Sequence, residues 1–127
     1  GFRLCLAAAQ RETLALLDAA RIPLAQLTRV RPRWLPILLS VPDWLFARLA
    51  RQMVAIDPLA RSSTWEDLEA GRATEVDWIN GEVVRLAATL GREAPVNAAL
   101  VALVKAAEAG GRRDWSAAEL QRAICPR

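Results

Sequence analysis

Apolar residues recur every three or four positions along most of the chain, and turn-forming residues separate the stretches in which they do so. This spacing places apolar side chains on one face of an α-helix. It predicts helices over residues 2–20, 44–56, 58–70, 75–90, 95–109 and 116–124, with short helical turns near 24–27 and 34–39. No alternating run is long enough for a strand. The pattern therefore predicts a single all-α domain, a multi-helix bundle.

Short motifs mark the ends of these helices. Asp57-Pro58 combines an N-cap residue with Pro at the first helical position, and Ser116 to Glu119 is a capping box. Thr74 and Asp77 have the same spacing, so Thr74 is the predicted N-cap of the fifth helix. Gly71 is the predicted C-terminal stop of the fourth helix. These motifs support the boundaries that the apolar pattern indicates.

Asn80-Gly81 is a turn-like dipeptide inside a helical pattern. Because Val76, Ile79 and Val83 flank it at helical spacing, we place it inside the fifth helix. A glycine in a helix interior costs about 1 kcal/mol relative to alanine, which predicts that another group packs closely against Gly81. For Asn80 the simplest prediction is an interhelical hydrogen bond.

Composition excludes several kinds of site. The 127 residues carry a net charge of +3 and contain no histidine, which excludes imidazole metal ligands and Ser-His or Cys-His nucleophile pairs. Arg29, Arg31 and Arg33 form a basic cluster, but a solvated loop explains it better than an anion site. Exposed basic residues are not interleaved with aromatic ones, so no nucleic-acid partner is expected.

Cysteine usage and hydropathy favour a cytoplasmic protein. Cys5 and Cys125 lie at opposite ends of the chain without a metal-binding spacing, and we expect two unpaired thiols. No signal peptide is visible. The most apolar run, residues 34–46, is too short to cross a bilayer, so no membrane association is expected.

The run SSTWEDLEAGRATEVDWINGEVVRLAATLG at Ser62–Gly91, followed by APVNAALVALVKAAE at Ala94–Glu108, resembles the C-terminal helical domain of ketopantoate reductase. The shared pattern is a Ser-Ser pair, an "EDL" turn, "TEVDWING", a glycine-ended helix and "PVN". It departs from the family at Thr64, where Met is expected, and at Ala73, where Pro is common. The resemblance implies a helical bundle like that of ketopantoate reductase and 6-phosphogluconate dehydrogenase.

The resemblance also implies roles for two residues. Ser63, the second serine of the pair, would bind the substrate, and Glu75 would face NADPH in a cleft between domains. Considered without the resemblance, Ser63 is an ordinary helix serine and Glu75 an ordinary first-turn acid. Lys105 does not correspond to the family's catalytic lysine, which precedes the residues that match here, so no catalytic residue is predicted.

The sequence contains no G-x-G-x-x-G motif after a strand. We therefore expect the C-terminal, substrate-side domain of an NADPH-dependent 2-keto acid reductase, inactive without a dinucleotide-binding (Rossmann) domain that is absent from this chain. The reaction that the resemblance implies is reduction of ketopantoate to pantoate. One alternative is a stand-alone helical interaction module without catalysis, and another is the same reductase chemistry with a different 2-keto acid. The many Trp, Leu and Ala residues predict a homodimer in each case.

Overall fold

The structure, a computed structural model, describes residues 1–26, 30–53 and 63–125. These ranges form seven α-helices and one 3₁₀ turn, and they contain no strand. The helices are α1 (Phe2–Ala19), α2 (Leu35–Ser40), α3 (Asp43–Met53), α4 (Ser63–Glu69), α5 (Val76–Thr89), α6 (Pro95–Glu108) and α7 (Ala117–Ile124), and the 3₁₀ turn is Pro32–Trp34. The all-α prediction is confirmed.

The predicted helical turn near residues 24–27 is wrong where it can be compared, because residues 24–26 are not helical. The chain leaves α1 through Arg21, which has a left-handed φ of 56°. The N–H of Ile22 donates to the carbonyl of Leu17 at 2.9 Å and closes the helix end. Residues 54–62, which include the predicted Asp57-Pro58 helix start and Ser62, lie outside the described residues.

Helix α1 contacts α2, α5, α6 and α7, and α5 packs along α6. At the centre of the bundle, Leu16 of α1 is buried with Ala87 and Ala94. Valine and leucine side chains from the end of α5 pack around them, namely Val83, Val84, Leu86 and Leu90. Small buried residues such as Ala87 let helices approach closely. The core therefore holds α5 and α6 in a defined relation to α1.

Arg3 joins the first helix to the α2–α3 corner. Its Nη1 donates to the carbonyl of Leu39 at 3.0 Å, and its guanidinium lies 4.1 Å from the ring centroid of Phe46 and pairs with Asp43. A guanidinium with several fixed donors orients the segment that supplies the acceptors. None of the helices in the described ranges is long and apolar enough to cross a bilayer.

Candidate functional site at the start of α5

The two residues with predicted roles lie in α4 and directly before α5. Ser63 belongs to α4 and is the first residue that the structure describes after residues 54–62, and Glu75 directly precedes α5. Both are exposed, and neither side chain has a hydrogen-bond partner within the described residues. Gly71, at φ 65°, ends α4 as predicted. No hydrogen bond or ion pair joins Ser63 to Glu75, so the structure leaves both side chains free without bringing them into contact.

The start of α5 differs from the predicted capping box. Glu75, and not Thr74, is the N-cap residue, and its side chain makes no capping hydrogen bond. The N–H and hydroxyl of Thr74 both donate to Oε1 of Glu108, at 2.7 and 2.8 Å. The predicted capping box does not form, because the Thr74 N–H donates to Glu108 and not to Asp77. The Thr74 hydroxyl still accepts a hydrogen bond from the N–H of Val76, at 3.4 Å. Thr74 is only 6% exposed, so it belongs to the fold.

Lys105 connects Glu108 to the first turn of α5. Its Nζ lies 2.9 Å from Oε2 of Glu108 and 2.6 Å from Oδ2 of Asp77. The backbone N–H of Thr74, then Lys105 and the Thr74 hydroxyl, lower the pKa of Glu108 to about 2. Hydrogen bonds to Asp77 and then to Glu108 raise the pKa of Lys105. Lys105 is therefore a cation held between two carboxylates.

Acid should unfold the protein partly through two carboxylates. Hydrogen bonds from the Ser116 side chain, then from Arg112 and the Ser116 backbone, lower the pKa of Glu119 to about 2, as in Glu108. Since both bind protons more weakly in the folded chain, they stabilise it above their ordinary pKa of 4.5 and lose that effect as the pH falls toward 2. Thermal melts at stepwise lower pH should show this decline. Glu108→Gln and Glu119→Gln should each flatten part of it, and unchanged slopes would contradict the assignment.

A second polar cluster joins α1, α5 and α6. The Glu12 carboxylate of α1 accepts hydrogen bonds from the backbone N–H groups of Val96 and Asn97, both at 2.9 Å, at the N-terminus of α6. Nδ2 of Asn97 also donates to Glu12 Oε1 at 2.7 Å. Nδ2 of Asn80 donates to Oδ1 of Asn97 at 2.8 Å, which confirms its predicted interhelical hydrogen bond. Asn80 therefore supports the fold and is not free to bind a ligand through this group.

Gly81 is buried inside α5, as predicted, but it is not closely packed. A Cβ atom built on it would meet the Arg85 guanidinium and the carbonyl of Val76 at 3.7 Å, an ordinary contact distance. The prediction that another group packs closely against Gly81 is therefore wrong among the described residues.

The outward face of α5 has two different halves. Trp78 and Ile79, one turn after Glu75, are 74% and 59% exposed. Further along the same face, Nη2 of Arg85 lies 2.6 Å from Oε1 of Glu82, and it also donates to the α5 backbone. The charged half is thus paired within the helix, and the Arg85 guanidinium also lies 5.8 Å from the Trp78 ring centroid. The Glu75 carboxylate before this face is unpaired within the described residues.

Residues 1–108 match the family model described as "Ketopantoate reductase PanE/ApbA C terminal". The chain belongs to this family. It is similar to 2-dehydropantoate 2-reductases of Archaeoglobus fulgidus (44% identical over 50 residues), Pyrobaculum aerophilum (51% over 47) and Pyrococcus horikoshii (44% over 50). Those segments cover 39%, 37% and 39% of this chain but only 17% of each relative. No solved structure matches the chain.

Two kinds of chemical group are available at the start of α5 in this member of the ketopantoate reductase family. Glu75 offers a carboxylate that can accept hydrogen bonds from hydroxyl or amide groups, and Trp78 and Ile79 offer an apolar surface beside it. These groups form a mixed polar and apolar surface at the start of α5. The described residues contain no group of His, Cys, Asp or Glu that could hold a metal ion.

Proposed function

We propose that this chain is the C-terminal, substrate-side domain of an NADPH-dependent reductase that converts ketopantoate (2-dehydropantoate) to pantoate. Family membership supports the reaction class, and the relatives' names supply the substrate. In this proposal a dinucleotide-binding domain forms the other side of the active-site cleft. The complete enzyme is cytoplasmic, in keeping with two free thiols, Cys5 and Cys125.

One observation carries the assignment of Glu75. Thr74 and Asp77, its polar neighbours at the start of α5, are both engaged by residues of α6. Glu75 lies between them with its carboxylate unpaired within the described residues. A fold that binds the residues on either side of an acidic group but leaves that group free presents it to a ligand. The exposed Trp78 and Ile79 place an apolar surface next to it, where a nicotinamide or ribose ring can pack.

The two residues would divide the binding work. The bound cofactor supplies the hydride to the substrate. Glu75, when ionised, accepts hydrogen bonds from hydroxyl or amide groups of the cofactor and orients it. The Ser63 hydroxyl donates to the carboxylate of the keto acid and accepts from a substrate hydroxyl. Neither residue is assigned a proton-transfer step, and Lys105 is held by two carboxylates.

In the complete reductase, Glu75→Ala should raise the Michaelis constant for NADPH, and Ser63→Ala that for the keto acid. Each change should be on the order of tenfold to a hundredfold, because a lost hydrogen bond to a charged partner is worth about 1.5–3 kcal/mol. Steady-state kinetics with each substrate varied in turn measure this. Glu82→Ala is the matched control, since Glu82 lies on the same face but is paired with Arg85. Its constants should not change.

Unchanged Michaelis constants would contradict these assignments. If Glu75 is only a first-turn charge near the helix dipole, Glu75→Ala should lower the melting temperature slightly and leave both Michaelis constants unchanged. An unchanged constant for the keto acid in Ser63→Ala would remove Ser63 from the substrate site. The cofactor role of Glu75 and the substrate role of Ser63 are therefore tested independently.

A second candidate function is a helical interaction module that forms a homodimer without catalysis. The exposure of Trp78 (74%) and Trp44 (70%) favours it, because large apolar side chains on a surface are suited to burial against a partner. This candidate predicts that the complete protein forms a homodimer and shows no reduction of ketopantoate by NADPH. The same kinetic experiment thus separates the two functions.

A further inference from the structure

We propose that Glu108 of α6 is a positioning residue for Glu75: it fixes the peptide that leads into α5 and so holds the Glu75 carboxylate where the cofactor binds. The inference deepens the proposed function and rests on it. It assigns a contribution to cofactor binding to a residue that belongs to a different helix from Glu75.

The contacts with Thr74 hold the chain immediately before Glu75. Glu108 Oε1 accepts from both the backbone N–H and the hydroxyl of Thr74, at 2.7 and 2.8 Å. Two hydrogen bonds from one residue to one oxygen restrict both its backbone and its side chain. On the other side, the carbonyl of Glu75 accepts from the N–H groups of Trp78 and Ile79, at 2.9 and 3.0 Å. The Glu75 backbone is therefore held in both directions.

Lys105 extends the same restraint to the residues after Glu75. Its Nζ bridges Glu108 Oε2 and Asp77 Oδ2, so the last turn of α6 binds α5 one residue before Glu75 and two residues after it. With the backbone held at both points, only side-chain rotation is left to Glu75. A carboxylate that must meet a cofactor group within hydrogen-bond distance gains from such a restraint, because a misplacement of about 1 Å can cost a hundredfold in rate.

Starting a helix does not require a carboxylate from elsewhere in the chain. Helix α7 begins with a local capping box, in which the Ser116 backbone N–H and hydroxyl donate to Oε2 of Glu119 at 2.9 and 2.6 Å. Glu119 is only three residues away, whereas Glu108 is 34 residues from Thr74. The two arrangements use the same donors and the same acceptor type. The α5 arrangement differs because it fixes the start of the helix relative to α6. In our proposal this position matters, since Glu75 at the start of α5 binds the cofactor.

The test is a double-mutant cycle in the complete reductase. Glu108→Ala should raise the Michaelis constant for NADPH about tenfold and leave that for the keto acid unchanged. Because Glu108 acts through Glu75, the double variant Glu75→Ala/Glu108→Ala should bind NADPH no worse than Glu75→Ala alone. Glu108→Gln keeps an oxygen that can accept from Thr74, so it should restore most of the affinity.

Two further variants keep the result interpretable. Glu119→Ala removes the matched carboxylate of α7 and should lower the melting temperature without changing either Michaelis constant. Thr74→Val removes, at nearly constant shape, the hydroxyl that donates to Glu108 and accepts from the N–H of Val76, but it keeps the backbone hydrogen bond to Glu108. It should raise the constant for NADPH about threefold even if Glu108→Ala does not fold.

The outcomes separate the two proposals. If Glu75→Ala raises the NADPH constant but Glu108→Ala and Thr74→Val do not, the positioning role is overturned and the proposed function stands. Effects that multiply in the double variant also overturn it, since they would show independent actions. If Glu75→Ala itself has no effect, the cofactor role of Glu75 fails, and the positioning role fails with it.

Discussion

Asn97→Asp should destabilise the protein by at least about 3 kcal/mol. Asn97 is 1% exposed, and its Nδ2 donates to Oε1 of Glu12 at 2.7 Å and to the carbonyl of Ala9 at 3.3 Å. The substitution replaces this amide donor by a carboxylate oxygen of nearly the same shape. It would place two like charges in contact in the interior and remove a donor from two acceptors. Urea unfolding at neutral pH measures the loss.

Asn80→Ala is the control for this prediction. It removes only the hydrogen bond from Asn80 Nδ2 to Asn97 Oδ1, at a partly buried position. We expect a loss of about 0.5–1.5 kcal/mol, the usual net value of one hydrogen bond. An Asn97→Asp variant no less stable than Asn80→Ala would mean that Glu12 does not cap α6.

The 127-residue chain by itself should show no measurable reduction of ketopantoate by NADPH. Hydride transfer requires cofactor and keto acid at near-attack distance, and that positioning is worth about 7–11 kcal/mol. One side of a cleft cannot provide it, since Ser63 and Glu75 each contact one reactant only in this proposal. The measurement is loss of NADPH absorbance with ketopantoate present, and the complete reductase is the positive control.

Any NADPH- and ketopantoate-dependent turnover by the isolated chain above the rate without protein would contradict this prediction, because the positioning that it lacks is worth about 7–11 kcal/mol. Light scattering on the same preparation is the accompanying control. It shows whether the chain that lacks turnover is a monomer or a homodimer.

The local patterns of the sequence predicted most of the helices. Apolar spacing located α1, α5 and α6 within one or two residues of their observed ends, since helical periodicity depends on neighbours three or four positions apart. Gly71 and the Ser116–Glu119 capping box were predicted correctly for the same reason. The turn near residues 24–27 was wrong because its few apolar residues do not define a period. The family motif singled out Ser63 and Glu75, whose roles stay predictions.

The tertiary structure alone decided which polar groups are free. Thr74 and Asp77 have the spacing of a capping box, yet their partners lie on α6, on Glu108 and Lys105. Glu12 has no local feature that predicts its role as the cap of α6, since the residue that it meets, Asn97, is 85 positions away. The Thr74 N–H donates to Glu108 and not to Asp77, although both are carboxylates, because the packing of α6 brings Glu108 within 2.7 Å and places Lys105 against Asp77. Sequence spacing can propose a hydrogen bond, but only packing brings the competing partner within reach.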